Sequence, residues 1–102
     1  MNGWVKVAQT SDVPDGRVKV VTAKETRLAL ANVGGTYYAV EDRCTHDGGP
    51  LGEGELVGDQ VECPRHGARF NVKTGDAVTL PAIVPVKSFQ VKVNGNDILI
   101  EL

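Results

Sequence analysis

The most constraining feature of this chain is the placement of its cysteines and histidines. The sequence has two of each in 102 residues. They form two short pairs, Cys44-x-His46 and Cys63-x-x-His66, separated by residues 47–62. Thiolate sulfur and imidazole nitrogen are the protein donors that transition metals prefer. The pairs therefore favour a fold that brings two loops, distant in sequence, face to face.

Length and charge narrow the classes of function. A net charge of −2 over 102 residues predicts one domain, residues 1–102, without a basic surface for nucleic acid or an anionic membrane. The first ten residues show no secretory pattern, and no apolar stretch approaches about 20 residues. We therefore expect a cytoplasmic protein, in which paired cysteines indicate a metal or catalytic site rather than a disulfide.

Short alternating segments predict an all-β fold, an antiparallel sandwich or barrel. Apolar and polar residues alternate with a period of two, which indicates strands packed on one face. The predicted strands are Trp4–Ala8, Arg17–Val21, Arg27–Ala31, Thr36–Glu41, Val61–Cys63, Ser88–Val93 and Asp97–Leu102. Asn94-Gly95 predicts a tight hairpin, because both residues tolerate positive φ. We find no convincing helical periodicity.

One region interrupts the strands beside the first pair. Residues 43–59 contain five glycines and one proline, a composition typical of a loop. Loops carry sites when a rigid scaffold positions them. Further on, Lys73–Asp76 predicts the turn of a hairpin that leaves the second pair.

Four interpretations of the two pairs compete. Small buried cysteines with incidental histidines would leave the pairing unexplained. A structural zinc site would use these donors, but its usual spacing is C-x₂₋₄-C with H-x₃₋₅-H. A cysteine nucleophile with a histidine base would leave the second pair without a role. A two-iron, two-sulfur cluster with two Cys on one iron and two His on the other uses all four residues, because each loop supplies one thiolate and one imidazole.

The pattern resembles the Rieske motif, and nearly the whole chain resembles a Rieske-type ferredoxin. The resemblance implies one [2Fe–2S] cluster per chain, with Cys44 and Cys63 on one iron and His46 and His66 on the other. It also implies a Rieske-type β fold with a cluster-binding portion, about residues 42–83, formed by two loops.

The resemblance further implies a set of residues around the cluster. These are Gly48, Gly49, Leu51, Pro64, Gly67, Ala68, Phe70 and Pro81. The glycines would let backbone N–H groups approach the sulfurs, Leu51 would exclude water, and Pro64 would fix the approach to His66. Pro81 would belong to a third, covering loop. Turn glycines, a core leucine, a loop proline and a break in an edge strand are the corresponding structural alternatives.

Charge and hydrogen bonding set an expected reduction potential. Two ferric ions, two sulfides, two thiolates and two neutral imidazoles sum to zero, whereas four thiolates would leave −2. Histidine ligation therefore raises the potential to between about −150 and +300 mV. High-potential Rieske proteins, which this chain resembles in its motif, carry Ser and Tyr hydroxyls where Ala68 and Phe70 stand here. We expect a potential near the low end of this range.

These features together predict a one-electron carrier and not an enzyme. The chain has no histidines beyond the two pairs, so it lacks the two-His, one-carboxylate iron site of the oxygenases themselves. The resemblance implies a flavin-containing, NAD(P)H-dependent reductase as donor and a Rieske-type non-haem iron oxygenase, or another redox enzyme, as acceptor. A small redox subunit of an NADH nitrite reductase and a redox-sensing module are the alternatives.

Acidic residues concentrate around the first loop. Seven of the 13 acids lie in residues 41–62, with Arg43 as the one base. This distribution predicts an acidic collar that steers basic surfaces of the partners. The alternative is a loop that is polar only because it is solvated.

Overall fold

Antiparallel strand pairing accounts for most of the alternating segments. The computed structural model describes residues 3–43, 51–64, 67–79 and 84–101. Its strands are β1 (Trp4–Gln9), β2 (Val18–Ala23), β3 (Thr26–Val33), β4 (Thr36–Glu41), β5 (Leu56–Val57), β6 (Gln60–Glu62), β7 (Arg69–Asn71), β8 (Ala77–Thr79), β9 (Ser88–Phe89), β10 (Val91–Asn94) and β11 (Asp97–Glu101), with one 3₁₀ turn at Thr10–Asp12. Every pairing is antiparallel, which confirms the predicted all-β fold. Within these ranges no helix has the length and apolar character needed to cross a bilayer.

The strands form three sheets, named here by position. The outer sheet has the order β1-β11-β10, the central sheet β2-β3-β4-β9, and the site sheet β5-β6-β7-β8. The site sheet contains β5, which was not predicted. It also contains β7 and β8, which pair on either side of the predicted turn Lys73–Asp76 but whose bounds were not predicted. Strands of two or three residues are too short to show a reliable period of two, so the sequence pattern could not reveal them.

The middle of β3 is buried on both faces. Leu28 and Leu30 belong to a core shared with the outer sheet, whereas Ala29 and Ala31 belong to a core shared with the site sheet. All four side chains are fully buried. The expectation of one packed face for Arg27–Ala31 is therefore wrong. Alanine occurs on buried and exposed surfaces alike, so the alanines of the second face did not indicate that this face is also buried. The second face of β3 thus presents small side chains to the core that contains Cys63.

The predicted strand Ser88–Val93 is divided in two. Ser88 and Phe89 pair with β4 of the central sheet, and residues from Val91 onward pair with β11 of the outer sheet. The chain changes sheets at Gln90, whose carbonyl accepts a hydrogen bond from Glu101 N at 3.0 Å. Phe89, Val91 and Val93 were expected to share one face. Phe89 and Val91 do pack against the same core, whereas Val93 is 46% exposed.

The last hairpin has its turn one residue later than predicted. Asn94 pairs with Asp97 as the final rung of the ladder, so Gly95 and Asn96 are the central residues. Of these only Gly95 has positive φ, at 64°. Positive φ at the first central residue alone is the pattern of a type II′ turn, whereas Asn-Gly typically occupies both central positions of a type I′ turn.

The β2–β3 hairpin carries backbone strain that the sequence did not indicate. Its two central residues, Lys24 and Glu25, have φ of 47° and 68°. The neighbouring β3–β4 hairpin uses Gly34 and Gly35 for the same purpose, with φ of 62° and 92°. Residues with a Cβ pay about 1–2 kcal/mol each in this region. The antiparallel pairing of β2 with β3, which extends up to Ala23 and Thr26, holds Lys24 and Glu25 at positive φ.

Replacing Lys24-Glu25 by Asn-Gly is expected to raise the free energy of unfolding by about 1–2 kcal/mol, because Asn and Gly adopt positive φ with little strain. The reciprocal change, Gly34→Lys with Gly35→Glu, is the matched control and should lower it similarly. No heavy atom lies within 4 Å of an added Cβ at either glycine, so only the backbone conformation is tested. Chemical denaturation followed by far-UV circular dichroism measures both. Equal midpoints for the wild type and the Asn-Gly variant would contradict the assignment of strain.

Candidate metal centre

Cys63 lies at the start of the loop that joins β6 to β7. The ladder between these strands pairs Val61 with Phe70 and Glu62 with Arg69, so the loop begins directly above the Glu62–Arg69 pair. The thiol of Cys63 is free and fully buried. A soft donor is thus held at the end of a hairpin, inside the protein.

Two backbone hydrogen bonds close this loop. Cys63 N donates to Ala68 O at 2.6 Å, and Gly67 N donates to Cys63 O at 3.0 Å. Gly67 has φ of +73°, and an added Cβ would meet nothing within 4 Å, so conformation and not space requires glycine here. Its N–H serves the closure of the loop in this structure. An additional role of Gly67 toward a sulfur stays a prediction.

The ion pair below the loop is a second support that sequence analysis did not identify. Arg69 Nε donates to Glu62 Oε1 at 3.0 Å, and each side chain is about one-third exposed, at 37% and 34%. A partly exposed pair of this kind contributes at most about 1 kcal/mol to stability. It mainly leaves the end of the hairpin without net charge next to Cys63.

The core behind Cys63 joins the two loops. Leu51, Ala68 and Phe70 are fully buried, and they share one apolar core with Cys63. Leu51 comes from the end of the first loop, so its side chain brings that loop against the second. Pro64, in contrast, is exposed. Leu51 is thus a core residue that shares its apolar core with Cys63, and its role in excluding water from a cluster stays a prediction.

Asp42 is the functional candidate that sequence analysis missed. Its Oδ1 accepts hydrogen bonds from Leu51 N at 2.8 Å and Gly52 N at 2.6 Å, and its side chain is 0% exposed. The only signal in the sequence was an aspartate followed by a glycine-rich loop, where carboxylates often accept backbone N–H groups. Asp42 therefore does not belong to a solvent-facing collar, and this part of that prediction is wrong. Glu53 and Glu55 are exposed as expected.

Half of the predicted site residues fall in the part of the chain that the structure describes. All six lie at the loop or its core, but Pro64 is exposed; the six are Leu51, Cys63, Pro64, Gly67, Ala68 and Phe70. Cys44, His46, Gly48, Gly49, His66 and Pro81 lie outside the described residues. Among the described side chains, no three of His, Cys, Asp or Glu are grouped as a metal site. The complete ligand set therefore stays a prediction.

Comparison with known families decides the class of this centre. A family model described as the Rieske [2Fe–2S] domain matches residues 3–90. The chain belongs to the Rieske [2Fe–2S] family. The cofactor of this domain is a [2Fe–2S] cluster, one per chain, as predicted.

Ferredoxins are among the similar proteins. The ferredoxin subunit of 3-phenylpropionate/cinnamic acid dioxygenase from Escherichia coli K12 is 45% identical over 93 residues, which cover 90% of this chain and 87% of the relative. A chain in the complex of reduced oxygenase and oxidized ferredoxin in carbazole 1,9a-dioxygenase is 39% identical with a TM-score of 0.91, covering 99% of this chain and 94% of that one. The ferredoxin of Sphingomonas yanoikuyae B1 is 30% identical with a TM-score of 0.90, covering 96% and 97%. This Rieske protein is accordingly an electron carrier of the ferredoxin type and not an enzyme by itself.

The described residues fit a Rieske cluster. Cys63 offers a buried thiol that is committed to no disulfide, at a loop tip closed by its own backbone hydrogen bonds. The apolar side chains of Leu51, Ala68 and Phe70 line the core around it. A thiolate in these surroundings needs a cation as its partner, because burial of an unpaired charge is costly.

The loop closure generates a test. Gly67→Ala and Gly95→Ala each force a Cβ into positive φ, at +73° and +64°, without a steric contact. Each should lower the free energy of unfolding by about 1–2 kcal/mol. Only Gly67→Ala should also speed the release of iron to a chelator in the folded protein, because Gly95 lies in the β10–β11 turn of the outer sheet. Equal release rates for the two variants would show that closure of this loop does not hold the centre.

Proposed function

We propose that this Rieske ferredoxin carries single electrons from an NAD(P)H-dependent flavin reductase to the terminal Rieske-type oxygenase of a dioxygenase system. The observation that carries the proposal is 45% identity, over 90% of the chain, to the ferredoxin subunit of such a dioxygenase. The similar chain found in a complex of oxygenase and ferredoxin supports an oxygenase as the acceptor. The cytoplasm is the proposed location, since thiols there stay reduced and available to iron.

The proposed ligands are Cys44 and Cys63 for one iron and His46 and His66 for the other. When bound, the cluster takes up one electron and gives it back. The chain holds Cys63 at a closed loop and packs Leu51 and Phe70 behind it, so water is kept from the inner, thiolate side. The imidazoles, on the same loops, are the proposed exit for the electron.

The proposed potential is near the low end of the Rieske range, below about +100 mV in a window of about −150 to +300 mV. Ala68 and Phe70 are fully buried in the same core as Cys63, and neither carries a hydroxyl. Hydroxyl donors would favour the reduced, more negative state, so their absence favours the oxidised one. Neither alternative acceptor, a nitrite reductase or a sensing pathway, is favoured by the relatives.

Electron paramagnetic resonance of the reduced protein, with iron and sulfide analysis, tests the centre. The wild type should contain iron and sulfide in equal amounts and give a rhombic signal. Alanine at any of Cys44, His46, Cys63 or His66 should abolish both, because the chain has no other Cys or His to substitute. Zinc without iron or sulfide in the wild type would reject the function. A midpoint above +100 mV would reject only the proposed potential.

Exposed acids at the end of the first loop generate a test of docking. Glu53→Lys with Glu55→Lys should slow electron transfer between a dioxygenase reductase, this ferredoxin and the oxygenase. The slowing should be on the order of tenfold at low ionic strength and weaken as salt screens the charges. Glu101→Lys, an exposed reversal on the outer sheet, is the control and should leave the rate within about twofold. Stopped-flow kinetics at several salt concentrations measure this. A salt-independent wild-type rate would contradict steering by the acidic surface.

A further inference from the structure

Asp42 occupies the point where the chain leaves β4 for the first loop. It stands two residues before Cys44 and nine before Leu51 in the sequence. Its Oδ1 accepts hydrogen bonds from Leu51 N at 2.8 Å and from Gly52 N at 2.6 Å. One carboxylate oxygen therefore joins the two ends of the segment 43–50, which contains the whole first Cys-His pair.

The same residue is attached to the central sheet. Asp42 N donates to Arg27 O at 3.0 Å, so the backbone of β3 fixes its position. Asp42 Oδ2 lies 3.1 Å from Arg27 Nη2, but it accepts no hydrogen bond from the residues that the structure describes. The contact is thus a charge pair without hydrogen-bond geometry. The Arg27 side chain is 60% exposed although that of Asp42 is 0% exposed, so solvent screens the arginine side of the pair.

Packing around Gly52 shows that this contact has a steric requirement. A Cβ on Gly52 would collide with the side chain of Val20 and would lie 3.2 Å from Asp42 Oδ1. Glycine is thus the residue that lets the backbone N–H reach the carboxylate with β2 behind it. A buried carboxylate is costly unless it is hydrogen-bonded, and the loop supplies two backbone N–H donors to Oδ1.

The hydrogen bond between Asp42 and Leu51 links Asp42 to the metal centre. Leu51, whose N–H binds Asp42, places its side chain in the core that holds Cys63. A displacement of Leu51 would therefore move the first loop relative to the thiol of the second loop. Asp42 thus connects three parts of the structure, which are the β3 backbone, both ends of the first loop and the core at Cys63.

We propose that Asp42 is a positioning residue, which sets the first Cys-His pair against Cys63 by acting as a hydrogen-bond acceptor and not through its charge. The acceptor role is favoured because two short bonds go to Oδ1, whereas the charged partner of Oδ2 is largely in solvent. This inference rests on the proposed ligands Cys44 and His46.

Two conservative variants separate the acceptor from the charge. Asp42→Asn removes the charge and keeps a carbonyl oxygen at Oδ1, whereas Asp42→Glu keeps the charge and displaces the acceptor by one methylene. We expect Asp42→Asn to retain the wild-type g values and rate of iron release. Asp42→Glu should shift or broaden the g values and release iron on the order of tenfold faster, the equivalent of about 1.4 kcal/mol. Glu101→Gln, which removes an exposed charge from the outer sheet, is the control and should match the wild type.

Amide hydrogen exchange at Leu51 and Gly52 gives a readout that does not depend on iron. Exchange should stay slow in Asp42→Asn and become faster in Asp42→Glu. Wild-type g values and iron release in Asp42→Glu would overturn the proposal. Altered g values or faster iron release in Asp42→Asn would also overturn it, because that variant loses only the charge. A wild type without iron and sulfide would overturn the proposed function and, with it, this inference. A loaded wild type with unaffected variants would overturn the inference alone.

Discussion

A strand buried on both faces, β3, is the constraint on which the rest of the structure depends. Leucines of β3 pack toward the outer sheet and alanines of the same strand pack toward the site sheet. Burial of large side chains on one face supplies most of the apolar stabilisation there. Small side chains on the other face complete the core that contains Cys63. The metal centre therefore packs on the central sheet, and the central sheet packs on the outer sheet.

The centre is built by local closure more than by regular structure. The second loop is closed by hydrogen bonds between Cys63, Gly67 and Ala68, and the first is tied at its ends by the carboxylate of Asp42. Both closures use backbone groups that no strand ladder satisfies. Loops of this kind stay ordered because their polar groups have partners within the protein. The apolar contact between Leu51 and the core of Cys63 then joins one loop to the other.

The class of fold and the chemistry of the centre could be predicted from the sequence, because both depend on patterns of residue type and spacing. Two Cys-His pairs have few other uses, and a period of two in Val18–Ala23 or Asp97–Glu101 reports directly on strands. The short strand Leu56–Val57 and the change of sheet at Gln90 left no such pattern. The turn at Lys24-Glu25 was missed for a physical reason, since tertiary pairing forces both residues into a conformation that their side chains disfavour. The burial of Asp42 was missed because an acid in a glycine-rich loop ordinarily faces water.

The pairing of the first strand with the last has a consequence for linking this protein to others. Trp4 lies opposite Glu101 in the ladder between β1 and β11, so the chain enters and leaves through neighbouring positions of the outer sheet. The central sheet lies between these positions and the core of Cys63. A tether, a fused redox domain or a surface attachment at either end would therefore lie across the central sheet from Cys63. A short peptide bridge between the ends, combined with new ends opened elsewhere, would give a circular permutant whose joint is also on that far side.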